Sequence, residues 1–176
     1  MQKVKHIPQY TYEDYKDWQG DWELIEGLPF AMSPSANAEH QFVQGEIIYQ
    51  IKGFLKNRNC KNRCSVYSDL DWIVDEETVL RPDISIVCGE KIKDFIRSAP
   101  VLIVEILSKS TAYNDRIVKK DIYEIQGVKF YLIADPEAKE VTVYELVDGN
   151  YREATTNKFE LDDKCRLSLK FDEIWE

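Results

Sequence analysis

The chain has 176 residues, 44% of them hydrophobic and 31% charged, which is enough apolar side chain for one sizeable core. Its net charge of -9 excludes a protein that holds nucleic acid through a broad basic surface, though not one that makes local contacts. No apolar run approaches the roughly 18 residues of a membrane span, and the opening MQKVKHIPQYTYEDY carries no signal-peptide core, so the expected location is the cytoplasm.

Thr11 to Trp18 reads as a short helix, capped by Thr11 with Glu13 and Asp14 in its first turn. Asp21 to Met32 reads as a β-hairpin turning at Glu26-Gly27 and broken by Ser33-Pro34-Ser35. A helix is expected over about Asn37 to Leu55, with Phe42, Ile47, Ile51 and Leu55 recurring near every fourth residue and His40 in the first turn. Val66 to Val74 is strand-like. The cysteines Cys60, Cys64, Cys88 and Cys165 are expected to be reduced and structural, because Cys60-x3-Cys64 has no second pair at zinc-ligand spacing.

Two apolar runs then carry one carboxylate each. Asp83 opens Ile84-Ser85-Ile86-Val87, and Glu105 interrupts Val101 to Leu107, where both parities are apolar and a strand covered on both faces is expected. A buried carboxylate needs a partner or a metal. With a following lysine, the two acids have the parts of a divalent-metal phosphodiesterase site, while a structural ion pair of Glu105 with Lys119 or Arg116 is the alternative. A helix capped by Asn114 or Asp115 and closed by Gly127 follows, with Val118, Ile122 and Ile125 as its stripe. Strands are expected over Val128–Ile133, Val141–Leu146 and Tyr151–Thr155, with a turn at Asp148-Gly149, and then a polar tail over Asn157 to Glu176 with a weak final strand or helix. The expectation is one domain over residues 1–176 with its core at about 10–155: an α/β fold, with a mixed β-sheet flanked by helices and an N-terminal β-hairpin.

The ordered set WELIEG, Met32-Ser33-Pro34, His40, Arg81-Pro82-Asp83, Ala99-Pro100, VEILSKST, Asp115-Arg116, Lys119, Tyr123, Gly127-Val128 and Asp135-Pro136 resembles the Uma-type (Uma-two) family, described as putative restriction endonucleases, within the PD-(D/E)XK nuclease superfamily. The resemblance implies a restriction-endonuclease-like fold and a Mg²⁺- or Mn²⁺-dependent endonuclease acting on DNA as a homodimer. It implies Asp83 and Glu105 as metal ligands. The superfamily's lysine two residues after the acid is replaced by Leu107, and Lys119 on the next helix is the matching residue, with Lys120 its rival. Glu26, in competition with Glu23, is a candidate third acidic ligand, and His40 is a candidate ligand or a structural hydrogen-bonder. Lys56, Arg58, Lys61 and Arg63 form the basic segment that could meet nucleic acid. The alternative function is a catalytically inactive nucleic-acid- or protein-binding module on the same fold.

Overall fold

The structure, a computed structural model, describes residues 7–32, 37–56, 60, 61, 63–108 and 112–176; the expected break at Ser33-Pro34-Ser35 lies outside them. Helix α1 (Tyr12–Tyr15) starts at Thr11, whose N–H and hydroxyl both donate to the Asp14 carboxylate, at 2.8 and 2.9 Å. Strands β1 (Trp22–Ile25) and β2 (Leu28–Ala31) form the expected hairpin. Its turn needs positive φ at both central residues, 50° at Glu26 and 75° at Gly27, which glycine adopts without strain. Helix α2 (Ala38–Leu55) begins at Asn37, whose side chain accepts the His40 N–H at 2.8 Å.

Strands β3 (Cys64–Ser68), β4 (Trp72–Ile73), β5 (Val79–Leu80), β6 (Ile84–Cys88) and β7 (Leu102–Ile106) follow. The single strand expected over Val66 to Val74 is divided. Asp69 takes φ 50°, and the chain leaves one sheet at β3 to enter another at β4. A π-helical segment, Asn114–Lys119, runs directly into α3 (Lys120–Ile125), which ends before Gly127 at φ 80°. Strands β8 (Phe130–Asp135), β9 (Glu140–Val147), β10 (Asn150–Glu153), β11 (Lys158–Glu160) and β12 (Arg166–Ser168) and a 3₁₀ helix, Phe171–Trp175, complete the described elements.

One sheet has six strands in the order β10-β9-β8-β7-β6-β3, and the hairpin belongs to a four-stranded sheet in the order β2-β1-β5-β4. Within the larger sheet β7 and β8 run parallel, joined by the helical crossover, while the other pairs are antiparallel. All five residues of β7 are buried, as a strand covered on both faces must be. On one face Ile84, Ile86, Leu102, Val104 and Ile106 pack with Val43, Ile47 and Ile51 of α2. On the other, Val87, Ile103 and Ile133 pack with Trp72, Leu80 and Tyr123.

Three expectations are corrected. The core does not stop near residue 155, because Phe159, Leu161, Leu167, Leu169 and Ile174 are buried in the same cluster as α2. Ile125 is not part of the buried stripe but 78% exposed, while Val118 and Ile122 are half-buried as expected. The cysteines are not reduced: Cys60 is bonded to Cys165 and Cys64 to Cys88. Antiparallel pairing sets Cys64 directly opposite Cys88, which a count of spacings cannot show. Disulfides persist mainly in oxidising surroundings, so they pull against the cytoplasmic expectation. Among the described residues no helix is long and apolar enough to cross a membrane.

Candidate functional site

The β6–β7 register positions the two central acids. Ile84 pairs with Val104, so Asp83 and Glu105 stand opposite one another one step further along. Each strand's backbone holds the other's carboxylate. The Ile106 N–H donates to Asp83 Oδ2 at 2.6 Å, and the Asp83 N–H donates to Glu105 Oε2 at 3.3 Å. Helix α2 meets this point from the other side. His40 Nε2 lies 3.2 Å from Asp83 Oδ2, and one turn later Gln44 donates to the Asp83 carbonyl at 2.9 Å and to Asp69 Oδ2 at 3.0 Å.

The helical crossover supplies the cation. Lys119 is buried, and its Nζ lies 2.8 Å from Glu23 Oε1, 3.1 Å from Glu105 Oε1 and 3.4 Å from Asp115 Oδ1. Tyr123 is fully buried, and its hydroxyl donates to Glu105 Oε1 at 2.6 Å. The spacing Asp115, Lys119, Tyr123 is four and four. Because the turns before Lys120 are π-helical, wider than an α-turn, all three side chains face the strand ends. Lys120 faces elsewhere, with Nζ 4.2 Å from the centre of the Tyr144 ring.

Glu23, Glu105 and Asp115 are each at most 5% exposed, so the site concentrates negative charge where water screens it little. Burial raises the Glu105 pKa well above the ordinary carboxylate range; Lys119 opposes this, and Asp115, Asp83 and Glu23 add to it. Burial works against the charged form of Lys119, but Glu105, Glu23 and Asp115 together push its pKa well above that of a free lysine. Burial also opposes the imidazolium of His40, and the hydrogen bond and charge of Asp83 overcome it, so its pKa is raised. The Tyr123 hydroxyl is raised by burial and by the Glu105 charge, so it remains a donor.

Asp83, Glu105, Lys119 and His40 are therefore brought together. Glu26 is not: it is exposed in the hairpin turn, and Glu23, three residues earlier on β1, occupies the place beside Lys119. Tyr123, which the sequence favoured as an ordinary half-buried aromatic over a residue lining the cleft, and Asp115, expected as a helix cap, both join the cluster, and Gln44 was missed. The usable signals were the i, i+4 spacings of Asp115 with Lys119 and of His40 with Gln44. In the basic segment Lys56 and Lys61 are exposed, whereas Arg63 is held by Asp162 and Asp163 at 2.8 and 2.5 Å. Arg58 lies outside the described residues.

The cluster offers carboxylate oxygens, the donors of a hard divalent cation, which commonly takes one or two carboxylates and keeps several waters. Glu23, Glu105 and Asp115 are spread around Lys119, and Asp83 lies against His40 and the Ile106 N–H, so the carboxylates do not form a closed cage. Among the described residues, Cys64, Cys88 and Asp162 form the one group of three whose donor atoms all lie within 4.8 Å of one another. That group is no ligand set here: its sulfurs are bonded to each other, and Asp162 accepts from Arg63 and from the backbone of Lys164 and Cys165.

No curated protein matches the chain significantly. Among solved structures it is similar to one described as "a putative nuclease belonging to DUF820" from Anabaena variabilis ATCC 29413. The TM-score is 0.73 at 17% identity, over 94% of this chain and 97% of that one. Such a likeness shows the fold, a restriction-endonuclease-like mixed α/β architecture. The model of the Uma2 family, described as "Putative restriction endonuclease", matches residues 12–175. With nearly its whole length accounted for by that one match, the chain belongs to the Uma2 family.

Proposed function

We propose that the protein is a divalent-metal-dependent endonuclease that hydrolyses phosphodiester bonds in DNA, with Asp83, Glu105 and Lys119 at its centre. Family membership supports the nuclease class. One observation carries the metal dependence: three carboxylates, Glu23, Glu105 and Asp115, gather around a single buried ammonium, and Asp83 adds a fourth directly opposite Glu105. One lysine leaves that group short of positive charge, and a hard cation is the natural complement. Asp83 and Glu105 would hold Mg²⁺ or Mn²⁺, with His40 steadying Asp83. When bound, such an ion supplies Lewis-acid stabilisation of phosphoryl oxygens and makes an attacking water more acidic.

The chain's own residues do the rest. The paired backbone N–H groups fix the carboxylates before any ion arrives, which is the preorganisation that catalysis rewards. Lys119 presents a permanent positive charge toward the strand ends, where the phosphate acquires negative charge. Lys119 thereby takes the part of the superfamily lysine that Leu107 cannot play. The described residues fold as one domain in this reading, since the C-terminal strands share a core cluster with α2.

Calorimetric titration with Mn²⁺ and Mg²⁺ tests the reading. Parent protein should bind, and Asp83→Asn, nearly isosteric but uncharged, should fold normally and lose binding by tenfold or more. Equal affinity in the two proteins would overturn it, and a parent that binds metal yet leaves plasmid DNA intact would favour the inactive binding module.

A further inference from the structure

A groove lies at the far end of α2 from His40. Tyr49, Gln50, Lys52, Gly53, Phe54 and Lys56 line a groove of about 750 Å³ against Lys170 and Glu173 at the 3₁₀ helix. The groove is held open by the chain itself. Gln50 donates to the Lys170 carbonyl at 3.1 Å and accepts the Lys170 N–H at 2.8 Å, clamping the 3₁₀ helix beside α2. Two aromatic side chains of the groove stand out to solvent. Tyr49 is 75% exposed and Phe54 37% exposed. Lys52 and Lys56 have no acidic partner among the described residues, whereas Lys170 is paired with Glu173 at 2.7 Å. A Cβ added at Gly53 would meet nothing within 4 Å, so packing within the chain does not account for a helix-interior glycine that costs about 1 kcal/mol relative to alanine.

We propose that this groove binds an unpaired, single-stranded segment of nucleic acid, deepening the nuclease reading above, on which it rests for its purpose. Three lysines against one glutamate make the groove locally positive on a chain whose net charge is -9. Charge of that sign favours a phosphodiester strand over an acidic or neutral partner surface. The aromatics decide between single and double strands. An exposed ring gains stacking only from a base whose face is free, and in a duplex those faces are covered. Tyr49 to Lys56 spans about 10 Å along the helix, enough to set a ring and an ammonium beside successive nucleotides. The groove runs toward the end of α2 opposite His40, so a strand seated here is held well away from Asp83.

The test is fluorescence anisotropy with a labelled oligo-dT and a matched duplex, in EDTA, so that neither metal nor cleavage is involved. The variants are Tyr49→Ala and the double change Lys52→Glu with Lys56→Glu, with Lys158→Glu on β11 as a control of similar charge. Tyr49→Ala should weaken oligo-dT about tenfold and leave the duplex unchanged. The double change should weaken oligo-dT and reduce its salt slope by about 1.4, at roughly 0.7 per lost contact. The control should behave as the parent. Unchanged oligo-dT affinity in Tyr49→Ala, or equal losses on both probes, would overturn the proposal. So would a dimer of the parent that Tyr49→Ala dissociates without any effect on oligo-dT, since the groove would then serve a second copy of the chain. Loss of the nuclease reading is scored separately by metal titration of Asp83→Asn, which leaves this groove untouched.

Discussion

Lys119 sits where its removal harms folding before it harms chemistry. Its ammonium touches three carboxylates and is almost wholly buried, so Lys119→Ala leaves uncompensated charge in the core. Breaking a buried pair in this way costs about 3–5 kcal/mol. Thermal melts should therefore show a large loss for Lys119→Ala. They should show a small one for Lys120→Ala, which gives up a cation–π contact worth about 0.5–1 kcal/mol. A small loss at Lys119 would mean that the carboxylates are already neutral. Tyr123→Phe is the gentler probe, since it keeps the ring stacked on Trp72 and removes the donor to Glu105. It should cost about 1.5–3 kcal/mol and lower Mn²⁺ affinity, because Glu105 loses one of the groups that orient it. Unchanged metal affinity would separate the hydroxyl from the site. Asp83 and Glu105 were legible in the sequence because a carboxylate within an apolar strand is costly enough to need explaining, whereas Lys119 was singled out from Arg116 only by the family resemblance. Tyr123, by contrast, looks like any aromatic on an apolar face, and Glu23 and Glu26 differ in that one lies within β1 and the other in the turn that follows it.

At the scale of elements, the hairpin, α2, the two acid-bearing strands and the parallel crossover follow from periodicity and turn residues, with boundaries shifted by one or two positions. The π-helical segment was not legible. At 100° per residue, Ile125 joins Val118 and Ile122 on one face, and the wider turn instead aligns Asp115, Lys119 and Tyr123. Disulfide pairing was equally hidden, because it depends on which distant strands become neighbours. The two bridges differ in reach: Cys60–Cys165 closes 105 residues and Cys64–Cys88 closes 24. Chain entropy alone assigns them about 4.8 and about 3.4 kcal/mol. Denaturant titration should find the serine pair at 60 and 165 less stable than the pair at 64 and 88. The reverse order would show that the cross-strand bridge contributes more than loop closure.

The whole molecule depends on its last twenty residues more than their polarity implies. Strands β11 and β12 have three residues each, too short for alternation to stand out among the charges of Asn157 to Glu176. Their burial is decided at long range, by the side of α2 that they and the 3₁₀ helix cover. Phe159, Leu161, Leu167, Leu169 and Ile174 are all at most 5% exposed. At about 1.5–3 kcal/mol for each buried side chain, they contribute as much as the whole net stability of an ordinary domain, about 5–15 kcal/mol. Deleting them would also strip the cover from Val43, Ile47 and Ile51 and remove the partner of Cys60. A chain ending at Thr156 should therefore lack a cooperative thermal transition and show near-complete amide exchange in α2, although β1 to β10 are all retained. A sharp transition near the parent's Tm in that truncated chain would show that the six-stranded sheet and its crossover carry the fold without the C-terminal strands.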